Sequence, residues 1–477
     1  MPHNPLMRIA DVSDTEWAVF EAFGAGALAD VRGRRDPVVR GEVIRFLLLG
    51  GAPAEAGNLP ALRLTGAHIT GELAVEHADI TVPISLHDCQ FDEPISFFGS
   101  RLRRLSLEGS TMPGLMASNV TFDASLRLTG CRSRGEISLG VTQINGSLIL
   151  DGARLAALTG ISLRISSDVL ARDGFTCHGE LRLNNAEIGG SLRFEGATLD
   201  NPGGSALSAM DLRVGAIANL CDGFTANGAV RLSYATITSR LCLDGATLTS
   251  TTGIALGCRH LTTRELVLLP TQPPDGVVDL SHARIGLLRD TPATWPSALR
   301  LDGLTYEALS DPDDPADRLR WLRLDPHGFR PQAYTQLAQV YRSAGRDDDA
   351  RTVLLAGERH RREGLTLPGR WWGHLQDLTV GYGYRPVRAA AWLTALLVLG
   401  TVVFGLYPPR AAEPDKAPEF VASIYTLDLI LPVGDFGQQS AFNPRGASIW
   451  LAYALIVAGL LLVTTIAAAG ARRLGRN

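Results

Sequence analysis

The chain has 477 residues, of which 45% are hydrophobic and 20% charged, with 45 basic residues against 49 acidic ones and a formal net charge of -4. This hydrophobic content excludes a mainly disordered chain, and the near balance of charges lacks the basic excess that is usual in nucleic-acid-binding proteins. The length allows about three domains.

Residues 1–57 have the pattern of two helices. The segment Asp11-Val-Ser-Asp14 offers capping side chains at the start of the first helix. Apolar residues then recur at helical spacing: Trp17, Phe20, Phe23 and Leu28. A second apolar helix is predicted over 38–49. Because repeat proteins need caps over their open ends, we interpret residues 1–57 as a helical cap on the region that follows.

Residues 58–305 repeat one short pattern, idealised as LxLxxAxIxGxLxLxGAxL. Its clearest copies are residues 62–80, 137–155, 181–199 and 230–248. Apolar and polar side chains alternate with a period of two, which predicts short strands and excludes helices. Small alanines 11 residues apart, such as Ala186 and Ala197, mark tight turns. Near-identical repeats without hairpin patterns favour a parallel β-solenoid over a sandwich or a propeller.

Residues 306–386 begin with a linker rich in Asp and Pro and then become helical over 326–364. The helical part matches the spacing of one tetratricopeptide-like (TPR-like) helix pair. The matching residues are Tyr334, Leu337, Ala338, Tyr341, Gly345, Ala350, Leu354 and Gly357. A single repeat does not bury its own apolar face, so we favour a helical brace over a partner-binding module.

Residues 387–477 contain two uncharged apolar runs, 389–407 and 447–471. Each is long enough to cross a hydrocarbon core of about 30 Å, which predicts two transmembrane helices. Arginines lie outside both runs: Arg370, Arg385, Arg388, Arg472, Arg473 and Arg476. Positive-inside bias then predicts a multi-pass protein of the plasma membrane, with the solenoid and the C-terminus cytoplasmic and the lipid bilayer as a partner.

The segment between the two apolar runs carries the candidate site. Five polar or conformationally restricted residues lie in it: Tyr425, Asp428, Pro432, Asp435 and Gln438. The layout of span, short helix, Gly-containing turn and span is that of a two-span pore loop, but a potassium filter has a TVGYG-type sequence. Here the sequence is Leu-Pro-Val-Gly-Asp-Phe-Gly. A degenerate pore loop, an amphipathic surface helix with Asp428 in water, and an extracytoplasmic interaction motif therefore remain as alternatives.

No catalytic, cofactor-binding or metal-binding residues are predicted. The six cysteines form no CxxC pair and no Cys/His cluster, so we interpret them as small core residues with free thiols. The histidines of the repeats, among them His68, His77, His87 and His260, are isolated in the sequence. No Rossmann, Walker or nucleophile-elbow motif assigns a cofactor.

The repeat pattern Ax(I/L)xGxLxL is similar to that of pentapeptide-repeat and other right-handed β-helices. Together with the C-terminal segment, the chain resembles over nearly its full length an actinobacterial family of membrane-anchored, pentapeptide-repeat-like proteins, often labelled "membrane-associated oxidoreductase". The resemblance implies a right-handed solenoid. The family label implies redox activity, although a fold does not establish chemistry.

Three functions follow as hypotheses. The first is a membrane-anchored cytoplasmic scaffold that binds an unknown protein partner along its solenoid, with no assembled catalytic site in its sequence. The second is the oxidoreductase of the family label, whose cofactor the sequence does not name. The third is a degenerate pore-loop channel, which requires homo-oligomerisation through the membrane domain because one two-span chain does not enclose a pore. No nucleic-acid partner is expected.

Overall fold

A computed structural model of the chain describes residues 12–52, 57–310, 314–363, 386–413, 417–431 and 436–474, with side chains omitted over 386–389 and 465–474. The chain forms two compact units, residues 1–344 and 345–477. The first unit is built around the repeats, and the second contains the C-terminal helices.

The repeats form a parallel β-solenoid, as the alternating pattern predicts. One coil contains four short strands: Arg101–Leu102, Leu105–Ser106, Thr111–Met112 and Leu115–Met116. The next coil stacks on it in register, with Thr121 paired to Arg101 and Leu126 paired to Leu105. Each coil therefore has four flat faces, which we number 1 to 4 in the order of these strands.

The strands of each face stack along the solenoid. Face 1 carries Asp79–Ile80, Arg101–Leu102, Thr121–Phe122, Gln143–Ile144, Arg164–Ile165, Glu187–Ile188 and Arg213–Val214. Face 2 carries Ala29–Asp30, Leu62–Thr65, Ile84–His87, Leu105–Ser106, Leu126–Arg127, Leu148–Ile149, Val169–Leu170, Leu192–Arg193 and Ile217–Asn219. Face 3 carries Val38–Arg40, His68–Thr70, Gln90–Phe91, Thr111–Met112 and Thr176–Cys177. Face 4 carries Leu73–Ala74, Ile95–Ser96, Leu115–Met116, Leu181–Arg182 and Ala298–Arg300.

Longer strands bend across two faces. Those shared by faces 1 and 2 are Thr236–Cys242, Thr262–Leu268, Arg284–Asp290 and Thr305–Leu309. Those shared by faces 3 and 4 are Arg132–Ser138, Arg154–Thr159, Thr198–Ser208, Thr225–Arg231, Thr247–Gly257 and Asp275–Asp279. All pairings within the solenoid are parallel, so each backbone bonds to the coils before and after it.

The interior is filled by the apolar positions of the repeat. Ala186 and Ala197 are buried at the turns, as their spacing predicts. Phe175, Phe194 and Phe224 stack in consecutive coils with ring centroids 6.2 and 6.3 Å apart. All six cysteines are buried and free, which confirms their interpretation as core residues.

The N-terminal segment supplies both helices and strands. Helix α1 (Asp14–Ala25) begins with a capping box between Ser13 and Glu16. Helix α2 is Gly41–Leu48. The predicted second helix is shorter than expected because Val38–Arg40 pairs as a strand with His68–Thr70. The segment therefore extends the solenoid at its N-terminal end.

The last coils are followed by a short 3₁₀ helix, Pro292–Thr294, and by helices α3 (Pro315–Leu322) and α4 (Pro331–Ser343). Tyr334, Leu337, Ala338 and Tyr341 are buried on α4, as the helical pattern predicts. Gln332 and Gln336 of α4 donate hydrogen bonds to the carbonyl oxygens of Leu304 and Tyr306 in the last coil. Side chains of α4 thus supply hydrogen bonds to backbone carbonyl groups of the last coil, which has no further coil to pair with.

The second unit contains helices α5 (Asp347–Glu363), α6 (Pro386–Leu406), α7 (Ala422–Ile430) and α8 (Ser448–Leu474). Strands Arg410–Ala411 and Phe442–Asn443 form an antiparallel pair. Phe404, Tyr425, Phe442 and Leu455 are buried in one cluster where α6, α7 and α8 meet. Close contact of these helices depends on small residues, since a Cβ added at Gly459 would lie 2.2 Å from the Ile430 carbonyl oxygen.

The membrane prediction is wrong in the part of the chain that the structure describes. There we find no helix that is both long enough and apolar enough to pass through a bilayer. The structure therefore does not support the two predicted transmembrane helices or the predicted multi-pass location in the plasma membrane.

Candidate functional site

The structure brings together three of the five predicted site residues. Tyr425 and Asp428 lie on α7, and Gln438 lies in the segment that returns over that helix. Pro432 and Asp435 lie outside the described residues. Tyr425, Asp428 and Gln438 are at most 5% exposed, which places them inside the second unit.

Asp428 binds the backbone of the returning segment. Its Oδ1 accepts a hydrogen bond from the amide of Phe436 at 3.1 Å. Its Oδ2 accepts from the amides of Gln438 at 3.0 Å and Gln439 at 2.7 Å. A carboxylate that accepts several backbone hydrogen bonds in a buried place is well compensated for the loss of water. The amphipathic alternative, which put Asp428 in water, is therefore wrong.

Gln438 and Tyr425 complete this arrangement. The Gln438 amide donates to the Glu419 carbonyl oxygen at 2.9 Å and accepts from the Val421 amide at 3.3 Å. The Tyr425 ring packs edge-on against Phe404, with centroids 5.0 Å apart. Burial, together with the nearby Asp428 carboxylate, raises the pKa of the Tyr425 hydroxyl to about 12. These contacts hold α7 and the returning segment together. In the part of the chain that the structure describes, the pore-loop alternative lacks the two spans on which it depends.

The histidines singled out in the repeats are dispersed. His68 lies 2.7 Å from Asp92, and His87 lies 3.0 Å from the Ser106 hydroxyl. His260 stacks between Tyr234 and His282 at centroid distances of 4.7 and 4.8 Å. Across the residues that the structure describes, no group of three His, Cys, Asp or Glu side chains is placed to hold a metal ion.

A long groove runs along face 1. Two adjoining depressions of about 650 and 970 Å³ share Thr236 and Thr238 in their walls. Together they extend from Gln143 to Thr305 across seven successive in-register steps of the sheet. Since neighbouring strands lie about 4.8 Å apart, the groove is about 34 Å long. We call it the face 1 groove.

Small residues shape the groove where each coil turns. A Cβ added at Gly189 would lie 2.4 Å from the Ser166 carbonyl oxygen, and one at Gly215 would lie 2.0 Å from the Gly189 carbonyl oxygen. A Cβ added at Gly286 would lie 2.5 Å from the Arg264 carbonyl oxygen. Larger side chains at these positions would force successive coils apart.

The charged side chains of the groove leave an excess of positive charge. Its walls include four arginines, Arg164, Arg213, Arg264 and Arg284, and two glutamates, Glu187 and Glu307. Glu187 forms ion pairs with Arg164 at 3.6 Å and with Arg213 at 3.1 Å. Within the described residues, Arg264 and Arg284 have no carboxylate partner, so both guanidinium groups are available to a ligand.

Sequence analysis missed the face 1 groove because its residues recur every 21 to 26 positions rather than at the 11-residue spacing of the turns. The column Arg164, Glu187, Arg213 and Thr236 is visible only when one coil is aligned with the next. Aligning the repeats at whole-coil length, instead of half-coil length, would have revealed it.

Comparison with known proteins identifies no relative. No family model matches the chain, and neither a curated protein nor a solved structure does. The resemblance to the pentapeptide-repeat-like family and the redox activity that its label implies therefore remain predictions.

Proposed function

We propose that the chain is an interaction scaffold whose face 1 groove binds an extended, acidic segment of a partner protein. The supporting observation is one continuous groove with an excess of arginine over glutamate in its walls. Arginine forks bind carboxylates through paired hydrogen bonds, so the lining favours a chain that carries Asp or Glu.

The backbone pairing of the solenoid decides how such a segment lies. Face 1 strands already bond to the coils on both sides, so a partner does not add as another strand along the face. It lies along the solenoid axis and is recognised by side chains. With a rise of about 3.3 Å per extended residue, a groove of about 34 Å accommodates roughly ten residues.

A binding measurement on the full chain tests the proposal. The probes are two fluorescein-labelled decapeptides, one alternating Glu with Val and one alternating Lys with Val, followed by fluorescence anisotropy. We expect the Glu peptide alone to bind, with an affinity that falls as salt is raised because the contacts are between charges.

Charge reversal identifies the surface. The double variant Arg264→Glu/Arg284→Glu should weaken binding of the Glu peptide at least tenfold. The matched control Arg103→Glu/Arg231→Glu changes the same charge at exposed arginines outside the groove and should bind like the unchanged protein. Equal loss in both variants, or equal binding of both peptides, would refute a specific acidic-segment site.

A further inference from the structure

Face 3 carries three arginines that are gathered in one place. Arg132 and Arg154 are partners in register on consecutive coils, and Arg134 follows Arg132 by two residues on the same strand. All three are exposed. Neighbouring strands lie about 4.8 Å apart, so the sheet holds two like charges side by side, an arrangement that destabilises a sheet.

Several arginines elsewhere on the solenoid are neutralised by a carboxylate of an adjacent coil. Arg101 pairs with Asp123 at 3.0 Å and Arg172 with Asp151 at 2.8 Å. On face 4 the pattern recurs, with Arg300 lying 3.2 Å from an oxygen of Asp279. These pairs span the same one-coil step that separates Arg132 from Arg154.

The three face 3 arginines have no such partner. Over the described ranges, no carboxylate lies within 4.0 Å of the guanidinium groups of Arg132, Arg134 or Arg154, and their side chains have no hydrogen-bond partner within the protein. Glu136 lies on the same strand but forms no ion pair with them. The local excess of positive charge is therefore available to an anionic ligand.

A cavity lies between these side chains. It has a volume of about 560 Å³ and is lined by the three arginines together with Leu155, Ala156 and His178. Ala156 has a small side chain, which leaves space between the longer side chains around it. The volume is within the range of sites that bind small molecules, about 300 to 1,000 Å³.

We propose that Arg132, Arg134 and Arg154 bind the phosphoryl group of a small phosphorylated molecule. A phosphoryl dianion presents three acceptor oxygens, and planar guanidinium groups bind such oxygens in pairs. A bound dianion also offsets the repulsion between Arg132 and Arg154. His178 also lines the cavity, and its Nδ1 lies 4.0 Å from a carboxylate oxygen of Asp200.

The test uses isothermal titration of the full chain with three probes: inorganic phosphate, pyrophosphate and glucose 6-phosphate. We expect a single site per chain for at least one of them. Tighter binding of glucose 6-phosphate than of phosphate assigns the site to organic phosphates, and the reverse order assigns it to free phosphate. Citrate, a multivalent carboxylate, should bind at least tenfold more weakly than the best phosphoryl probe.

The variant Arg132→Gln/Arg154→Gln should weaken the best probe at least tenfold. The control Arg101→Gln/Arg103→Gln removes the same charge from face 1 and should leave binding unchanged. The proposal is overturned if none of the three probes binds, if citrate binds as tightly, or if both variants lose binding equally.

A measurement of Tm distinguishes a phosphoryl-binding site from a group of arginines that only contact water. Arg154→Thr introduces the residue that the next coil has at the partner position, Thr176. Without ligand it should raise the Tm by about 1–2 °C, because the in-register repulsion is removed. The stabilising effect of pyrophosphate on Tm should be lost in the same variant. An unchanged ligand-free Tm together with retained pyrophosphate stabilisation would contradict the inference.

Discussion

Arg318 of helix α3 holds Asp290 of the last coils through two hydrogen bonds, 2.9 and 2.7 Å long, and each side chain is only 1% exposed. The Arg318 guanidinium lies 5.4 Å from the ring centre of Trp295 and 5.6 Å from that of Trp321. Trp295 also donates a hydrogen bond to Asp290 at 2.8 Å. This buried ion pair fixes α3 on the end of the solenoid.

Removing one partner of this pair should be costly. Arg318→Ala leaves the Asp290 carboxylate buried without its counter-charge, and we expect a loss of about 3–5 kcal/mol in unfolding free energy. Urea unfolding followed by tryptophan fluorescence measures it, since Trp295 and Trp321 report on this region. Arg320→Ala, which breaks the exposed ion pair to Asp317, should change little. Equal effects would show that Arg318 contributes no more than a surface charge.

Val141 has a backbone conformation that suits other residues better. Its φ is 56°, in the left-handed region, and its side chain is 66% exposed. Asn119 occupies the matching turn one coil earlier with φ 58°. Because β-branched residues are disfavoured in this conformation, Val141→Asn should stabilise the protein by roughly 1 kcal/mol. The reciprocal change Asn119→Val should destabilise the protein by a similar free energy and so lower its Tm. A thermal scan in which the Tm of both variants shifts in the same direction would contradict this account.

The stack of Tyr234, His260 and His282 predicts a pH dependence. Partial desolvation, followed by the nearby charges of His282, Arg259 and Arg284, lowers the pKa of His260 below its ordinary value. The unfolded chain therefore takes up this proton at a higher pH than the folded chain. The contribution of His260 to stability is present at neutral pH and is lost as the pH falls through about 6.5 towards the folded pKa.

Two measurements check this dependence. An NMR titration of the His260 ring should give a midpoint below that of an unfolded peptide, and His282→Asn should raise it. His260→Asn keeps a residue that tolerates the positive φ of 57° and should reduce the loss of Tm between pH 7.5 and 5.5. A midpoint that does not respond to His282→Asn would exclude coupling through the stack.

Asp428 should keep the segment that returns over α7 in its folded conformation. Asp428→Asn removes the charge and leaves one acceptor oxygen for three backbone amides. The loss should be about 1.5–3 kcal/mol, the usual range for hydrogen bonds to a charged group. Hydrogen exchange at Phe436, Gln438 and Gln439 should then quicken tenfold or more. Glu419→Gln, a neutralisation at an exposed side chain, serves as the control and should leave these rates unchanged.

The sequence predicted the solenoid well because the property that forms it is local. Alternation of apolar side chains and buried alanines such as Ala186 can be recognised within one repeat. The number of strands per coil follows from how coils stack, which no single repeat specifies. The pairing of Asp290 with Arg318 joins residues 28 positions apart and belongs to the end of the solenoid, where the repeat no longer applies.

The C-terminal segment shows the opposite case. Sequence analysis left three roles open for Tyr425, Asp428 and Gln438, and the structure buries all three side chains in the second unit. A motif of polar residues between apolar runs looks the same whether the polar groups face a ligand or satisfy the backbone. Only the three amides bound to Asp428 decide between these alternatives.

Because the strands of face 1 stack in register, the length of the groove is proportional to the number of coils. Its length is set by the number of coils rather than by any loop, so each added coil lengthens it by about 4.8 Å while the neighbouring coils keep their contacts. Duplication of a whole coil, for example residues 187–212, would extend the reach of the protein along a partner by more than one residue of that partner. In such a fold, the length of the partner segment that is bound changes in fixed increments, while the residues that line the existing coils stay the same.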